Sequence, residues 1–334
     1  MNDKILLDHG SGGKLAHELI EKRFITALAN PLLSKLDDSA VIEFNGRLSF
    51  TTDSYIVSPI FFPGGDIGRL AVCGTVNDLS MSGAKPLYLS LAFIIEEGFP
   101  LSDLDRVLDS IQRTTKEAGV EIITGDTKVV TKGSADKLFI NTTGIGMIPE
   151  GIDISANKAK PGDSVILSGP IGDHGIAVIS KREGLSFSTE LESDCAPLGN
   201  LVAEMLAASP NINCLRDPTR GGLATTLNEM AEQSNVSIRI IEEKIPVREE
   251  VLAACEMLGF DPLYVANEGK LIAIVPQEDS EKVLTAMRKN NYAKEAAIIG
   301  TVHKGNSGRV LMRTFLGASR IVDMLTGDLL PRIC

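Results

Sequence analysis

The pattern that most constrains this chain is an interruption. Strand-like and helix-like runs alternate up to Ile148, stop across the loop from Pro149 to Pro161-Gly162, and begin again with the apolar run Ser164–Ser168. Two α/β halves of similar length, each mixing hairpin signals with helices, predict an α+β architecture of two domains rather than one doubly wound sheet. The expected divisions are residues 1–150, residues 151–318, and a mobile tail over 319–334. A chain of 334 residues is long enough to give each half its own core.

Within the first half, Leu15, Leu19, Ile20, Phe24, Ala27 and Leu28 share one helical face. Ala40–Phe44 and Arg47–Thr52 read as strands joined by Asn45-Gly46, a strong hairpin signal. The second of these ends at Asp53. A helix over 68–82 carries Asn77-Asp78, Leu101–Ala118 forms an amphipathic helix, and the strand Val120–Thr124 ends in Gly125-Asp126-Thr127-Lys128. In the second half, Leu263–Ala266 and Leu271–Val275 read as strands, which places Glu268 in a hairpin loop. A glutamate there is ordinarily solvated.

Charge and composition exclude several functions. The net charge of −11 argues against nucleic acid or an anionic membrane as partner. With 4% aromatics and no Trp, there is no platform for stacking bases. No stretch reaches membrane-spanning length, the nearest being Leu87–Ile95, and Met1-Asn2-Asp3-Lys4 does not lead into a secretory signal. Five cysteines with no C-x-x-C pair fit neither a zinc site nor a disulfide framework, and suit a reducing cytoplasm.

An acidic chain that handles an anionic substrate must bring a metal or a local nest of backbone N–H groups. Both are present as candidates. Asp37/Asp38, Asp53, Asp78 and Asp126 recur at the expected ends of elements. Carboxylates gathered at a sheet edge repel one another unless a cation sits among them, and Mg²⁺ suits carboxylates combined with phosphate oxygens. Each Asp taken alone also reads as a turn residue or helix cap. Three glycine turns, Gly10–Lys14, Gly169–Gly175 and Asp217–Gly222, lead directly into helices, where backbone N–H groups can hold phosphate. None has Walker A or dinucleotide spacing. His9 and His174 lie within such turns and could touch phosphate. The last residues, Pro331-Arg332-Ile333-Cys334, present a thiol on a segment that could swing to a partner and back into a pocket.

Taken together, His9-Gly10-Ser11-Gly12-Gly13-Lys14, Thr52-Asp53-Ser54, Val76-Asn77-Asp78-Leu79, Gly125 to Val130, Ser168 to Gly175, Arg216 to Gly222, Asn267-Glu268-Gly269 and Pro331 to Cys334 resemble the HypE family of hydrogenase maturation proteins. That family lies within the superfamily of aminoimidazole ribonucleotide (AIR) synthetase, PurM, and selenophosphate synthetase. The terminal cysteine and the Asp173-His174-Gly175 turn narrow the resemblance to this family, and the chain departs from it at none of these positions.

The resemblance implies a PurM-like fold, with an N-terminal α/β domain dimerising by strand pairing, a C-terminal α+β domain and a flexible tail. It implies ATP and Mg²⁺ as cofactors. Gly12, Gly13, Lys14, Asp38, Asp53, Asp78, Asp126, Asp217, Thr219, Arg220, Gly221 and Gly222 would bind the nucleotide, and Asp38, Asp53, Asp78 and Asp126 the metal. It implies that HypF carbamoylates Cys334, that ATP drives dehydration of the S-carbamoyl group to a thiocyanate, and that the cyano group passes to iron on a HypC–HypD complex. Glu268 and Lys128 are the candidate bases beside the carrier Cys334. The alternatives are another ATP-dependent kinase or synthetase of the superfamily, which would not need Cys334, and an ATP-gated thiol carrier without catalysis.

Overall fold

The computed structural model describes residues 4–10, 14–35, 39–185, 191–305, 308–327, 330 and 332–333. The first half opens with a helical rod made of α1 (Lys14–Leu19), a π-helical turn (Ile20–Ile25) and α2 (Thr26–Leu28). Strand β1 (Arg47–Tyr55), a small ribbon of β2 (Phe61–Phe62) and β3 (Gly65–Asp66), and helix α3 (Ile67–Met81) follow. Then come β4 (Lys85–Glu96), α4 (Leu101–Ala118), β5 (Glu121–Val130) and β6 (Leu138–Ile148). The strands form a four-stranded sheet in the order β1-β6-β4-β5, with β4 and β5 parallel and the other pairs antiparallel.

Helix α3 positions the site. Asp66 caps it, its Oδ1 accepting from the N–H groups of Gly68 at 2.7 Å and Arg69 at 3.0 Å. The helix is buried nearly all round, because the first sheet covers one side and the second half covers another. Gly74 makes this possible: a Cβ there would lie 2.3 Å from the Tyr55 hydroxyl.

The second half contains β7 (Ser164–Leu167), α5 (Asp173–Glu183), α6 (Gly199–Ala208), β8 (Cys214–Arg216), α7 (Gly222–Gln233), β9 (Ser237–Ile241) and α8 (Glu249–Leu258). It continues with β10 (Ile272–Val275), α9 (Gln277–Lys289), β11 (Ala297–His303), β12 (Arg309–Arg313) and β13 (Ser319–Val322). Its seven-stranded sheet runs β13-β12-β9-β11-β7-β10-β8, with only β9 and β12 paired in parallel. Apolar residues of α7 pack on one side of this sheet and those of α6 and α9 on the other. A third apolar cluster crosses between the halves, joining α3 and α4 to α5, α8, Leu330 and Ile333.

The structure differs from sequence expectation at four places. Residues 40–45 form no strand, so Asn45-Gly46 does not join a hairpin. Strand β1 instead pairs along its whole length with β6, from Arg47↔Ile148 to Tyr55↔Ile140, leaving β1 at the sheet edge. Asp53 and Asp126 lie inside β1 and β5, not at their ends, because ladder pairing continues past both. Residues Pro262–Tyr264 form a 3₁₀ turn capped by Asp261, whose side chain accepts the Leu263 N–H at 3.0 Å. Pro262 has no N–H to give a ladder, so the expected strand does not form. Ser319–Val322, expected to begin a mobile tail, pair with β12, and Val322 is fully buried.

Candidate active site

Three loops meet on α3. Asn77 joins two segments far apart in sequence: its Oδ1 accepts the Leu198 N–H at 2.7 Å, and its Nδ2 donates to the carbonyls of Ala196 at 3.1 Å and Glu268 at 3.3 Å. Asn267, fully buried, performs a similar service. Its Oδ1 accepts the Gly172 N–H at 2.7 Å and its Nδ2 donates to the Pro218 carbonyl at 2.8 Å. The turns at 169–175, 217–222 and 267–269 are thereby clamped together. Gly269 allows the closest approach, since a Cβ there would overlap the Asp194 carbonyl oxygen at 1.7 Å.

The clamp gathers carboxylates. Asp78 on α3 accepts the Thr51 hydroxyl of β1 at 3.1 Å. Burial pushes its pKa up and the charge of Asp53 pushes it further, against the pull of Thr51 and Arg216. Asp217, at the end of β8, is raised to about 7 by burial, with Asp78 and Asp53 adding to the effect. Glu268 is only 4% exposed and its Oε1 has no hydrogen-bond partner. Burial raises its pKa well above the carboxylate range, and Asp217, Asp194 and Asp53 contribute. Behind the loop, Asp194 accepts the Glu268 N–H at 3.0 Å and forms a buried ion pair with Lys270 at 3.1 Å.

Asp126 stands apart from this cluster. It is exposed on β5, where its Oδ1 accepts the Thr127 N–H at 2.8 Å and the Lys128 ammonium at 2.9 Å. The Lys128 hydrogen bond holds its pKa below the usual value. Alternate residues of a strand share a face, which is why Asp126 and Lys128 meet. Both line a cavity of about 390 Å³ together with His9 and His17.

The expected residues are thus divided. Asp53 acts on Asp78, both act on Asp217, and Asp53 and Asp217 act on Glu268, while Asp126 and Lys128 pair with each other. Among the described residues, no three His, Cys, Asp or Glu side chains are already gathered to hold a metal ion. Asp53, Asp78 and Asp126 of the expected metal set are therefore not gathered with one another. Gly12, Gly13, Asp38 and Cys334 lie outside the described residues, as does the side chain of Lys14. In the 217–222 turn, Gly221 and Gly222 adopt φ of +80° and +61°, a left-handed geometry suited to glycine. Thr219 closes the turn by accepting the Gly222 N–H at 2.9 Å through its carbonyl, and Arg220 is exposed.

His174 does not face a phosphate site. It is fully buried, with Nδ1 2.8 Å from the Ser193 hydroxyl and Nε2 2.9 Å from the Ile333 carbonyl. The tail is docked here. Arg182 and the Ser58 N–H both donate to the Arg332 carbonyl, at 2.8 and 3.1 Å, and Arg332 reaches Asp136 at 2.6 Å. Sequence reading missed Asn77, Asp194, Ser193 and Lys270 as site residues. Asn77 lies inside a quoted motif and Lys270 adjoins one, so both were within reach of such a reading, whereas Asp194 and Ser193 carry no motif.

Comparison with known proteins agrees with this architecture. Residues 36–148 match the AIR synthase related protein N-terminal domain, and residues 160–313 its C-terminal domain. A carbamoyl dehydratase HypE of Azotobacter vinelandii is 55% identical over 334 residues, covering 100% of this chain and 98% of the relative. The crystal structure of a hydrogenase maturation protein HypE in complex with ATP superimposes with a TM-score of 0.96 at 50% identity, covering 98% of this chain and 99% of the other. HypE from a HypE–HypF complex superimposes with a TM-score of 0.81 at 52% identity, covering 92% and 99%. The chain belongs to the HypE family of hydrogenase maturation proteins, within the PurM-like superfamily of AIR synthase related proteins.

Proposed function

We propose that this chain is an ATP-dependent carbamoyl dehydratase that converts an S-carbamoyl group on Cys334 into a thiocyanate for the iron of a [NiFe] hydrogenase. The observation that carries the reading is Glu268: a buried carboxyl with an oxygen free of partners, beside the Asp53–Asp78–Asp217 cluster and one buried segment away from the docked tail. Relatives named carbamoyl dehydratase and a relative crystallised with ATP support it.

The chemistry asks for such a site. In R–S–C(=O)–NH₂ the oxygen is a poor leaving group. Transfer of the ATP γ-phosphoryl to it makes phosphate the leaving group, and loss of both N–H protons leaves R–S–C≡N, ADP and phosphate. In its ionised form Glu268 accepts an N–H proton, and burial makes that carboxylate a stronger base than an exposed one. Lys128 is the second candidate for proton transfer, held on β5 by Asp126. Burial around Glu268 keeps water from the phosphorylated intermediate.

The donor set also fits a hard cation. The Asp53 charge raises the proton affinity of Asp78, and both raise that of Asp217, a repulsion that Mg²⁺ would relieve. When bound, Mg²⁺ supplies charge neutralisation for phosphoryl transfer. The 217–222 turn contributes N–H groups at the start of α7 for phosphate. Asp38, Gly12, Gly13 and Lys14 belong to the same proposal.

The reading includes a homodimer. Strand β1 has an open edge, and Leu48 and Phe50 on it are 46% and 70% exposed. HypF would load the thiol, as the HypE–HypF complex of a relative suggests, and a HypC–HypD complex would receive the cyano group. No helix among the described residues is long and apolar enough to cross a membrane, and buried free thiols at Cys73, Cys195, Cys214 and Cys255 suit the cytoplasm.

Intact mass of the carbamoylated chain, with and without ATP, tests the reading. Loss of one water, localised to Cys334 and dependent on ATP, is expected. ATP hydrolysis without that loss, or an adduct on another cysteine, overturns it.

A further inference from the structure

A chain of hydrogen bonds runs from the tail to the loop that carries Glu268. Its direction follows from its ends. The Ile333 carbonyl can only accept, so His174 Nε2 carries a proton. Burial lowers the His174 pKa, which favours the neutral ring and leaves Nδ1 as an acceptor. The Ser193 hydroxyl, 2.8 Å away, therefore donates to Nδ1, while its oxygen accepts the Cys195 N–H at 3.1 Å. Asp194, between these two residues, accepts the Glu268 N–H at 3.0 Å. One three-residue segment is thus fixed by the tail-bound histidine on one side and fixes the Glu268 backbone on the other.

The tail itself is read through its backbone. The Arg332 carbonyl accepts from Ser58 and Arg182, and Arg332 sits at φ +58°, a left-handed conformation that a non-glycine residue keeps only when its surroundings hold it. Ile333 is 2% exposed, and Phe62 meets the His174 ring edge-on at 5.4 Å. Both ring nitrogens of the buried His174 are satisfied, as burial requires, and one of the two partners is the backbone of the residue preceding the carrier thiol.

We propose that His174, oriented by Ser193, is a positioning residue that recognises the docked tail through the Ile333 carbonyl and relays docking to Glu268 through residues 193–195. The relay rests on the dehydratase reading given above; the docking contact does not. Docking would then align both partners of the reaction together, the carrier thiol next to Ile333 and the base on its loop.

Two readouts on the full-length chain test this. Trypsin cleavage after Arg332, followed by intact mass as loss of the Ile333-Cys334 dipeptide, reports docking without any chemistry. His174→Phe keeps a ring against Phe62 but offers no donor to Ile333, and should speed that release by about tenfold or more. His174→Gln, which restores an N–H donor, should return it toward wild type. In a single turnover of the carbamoylated chain, His174→Phe should slow ATP-dependent water loss by about tenfold or more, with Mg-ATP affinity kept within about twofold. Ser193→Ala should move both rates the same way by about threefold, and it carries the test if His174→Phe does not fold. Release as slow as wild type, or fast release with undiminished water loss, overturns the proposal. Absence of water loss from the wild-type chain would instead overturn the dehydratase reading, and the trypsin result would still decide whether His174 holds the tail.

Discussion

Glu268 and Asp126 are carboxylates that the family resemblance assigns to one reaction, and the fold gives them opposite surroundings. Glu268 is 4% exposed, with one oxygen unpartnered and its pKa driven up by burial. The side chain of Asp126 is 60% exposed, tied to Lys128, with its pKa driven down. Burial favours the protonated form of the first, and the Lys128 contact favours the ionised form of the second. The difference lies in what packs behind each residue. Behind Glu268 stand Asn77, Asp194 and the Asp194–Lys270 pair; Asp126 sits on an edge strand and faces the cavity it shares with His9 and His17.

Substitutions can sharpen or break this contrast. The largest effect is expected from Glu268→Gln, which keeps the shape and removes the base. Single-turnover water loss should fall by about 10²–10⁴-fold with ATP affinity unchanged. Activity near wild type would show that the buried carboxyl is not the proton acceptor.

Asp78→Asn should separate binding from stability. It relieves repulsion with Asp53 and Asp217 and keeps a partner for Thr51. Calorimetric titration should show Mg-ATP affinity down by about tenfold or more, while the melting temperature of the free protein stays level or rises by a few degrees. A lower melting temperature with intact affinity would mean the cluster is structural.

Gly269→Ala tests the close approach of the Glu268 loop. The new Cβ would meet the Asp194 carbonyl, and the strain should cost about 1–3 kcal/mol in denaturant unfolding, together with slower water loss.

The pH dependence of stability should carry the mark of Asp217. Its folded pKa of about 7 lies above the ordinary Asp value of about 3.9. Below about pH 4 the group is protonated in both states and exerts no penalty. As pH rises from about 4 through about 7 the unfolded chain ionises while the folded one holds its proton, so this group's contribution to stability is lost. The stability of Asp217→Asn minus that of wild type should therefore grow across that window and level off above it. A flat difference from pH 4 to 8 would show that Asp217 is not in the repelling cluster.

The smallest effect on the fold is expected at the exposed pair. Asp126→Asn should change unfolding free energy by no more than about 0.5 kcal/mol, and should lower Mg-ATP affinity less than Asp78→Asn does. A larger loss of affinity would move Asp126 into the same shell as Asp78.

Much of this was legible from local pattern. Helix α4 ends where Gly119 stops it, at φ +69° with its N–H on Thr115. Asp217–Gly222 does form a glycine turn that opens α7. The errors share a cause. Asn45-Gly46 promised a local hairpin, but β1 found a nine-residue partner in β6 that lies 101 residues further along for the pair Arg47↔Ile148. Glu268 read as a loop residue open to solvent, because nothing near it in sequence announces Asn77, 191 positions away. Local chemistry specifies turns, caps and faces, whereas pairing across a domain depends on which surfaces remain to be buried.

The sequence by itself determined that the chain makes two α/β halves, which residue types stand ready for phosphate and metal, and that a thiol follows Ile333, since periodicity, turn chemistry and motif spacing are local properties. Only the tertiary structure decided that Asp53, Asp78, Asp217 and Glu268 share one field while Asp126 stays with Lys128, and that His174 holds the tail instead of a phosphate. Protonation and partnership depend on desolvation and on charges brought within a few ångströms, and both exist only once the two halves have closed on α3.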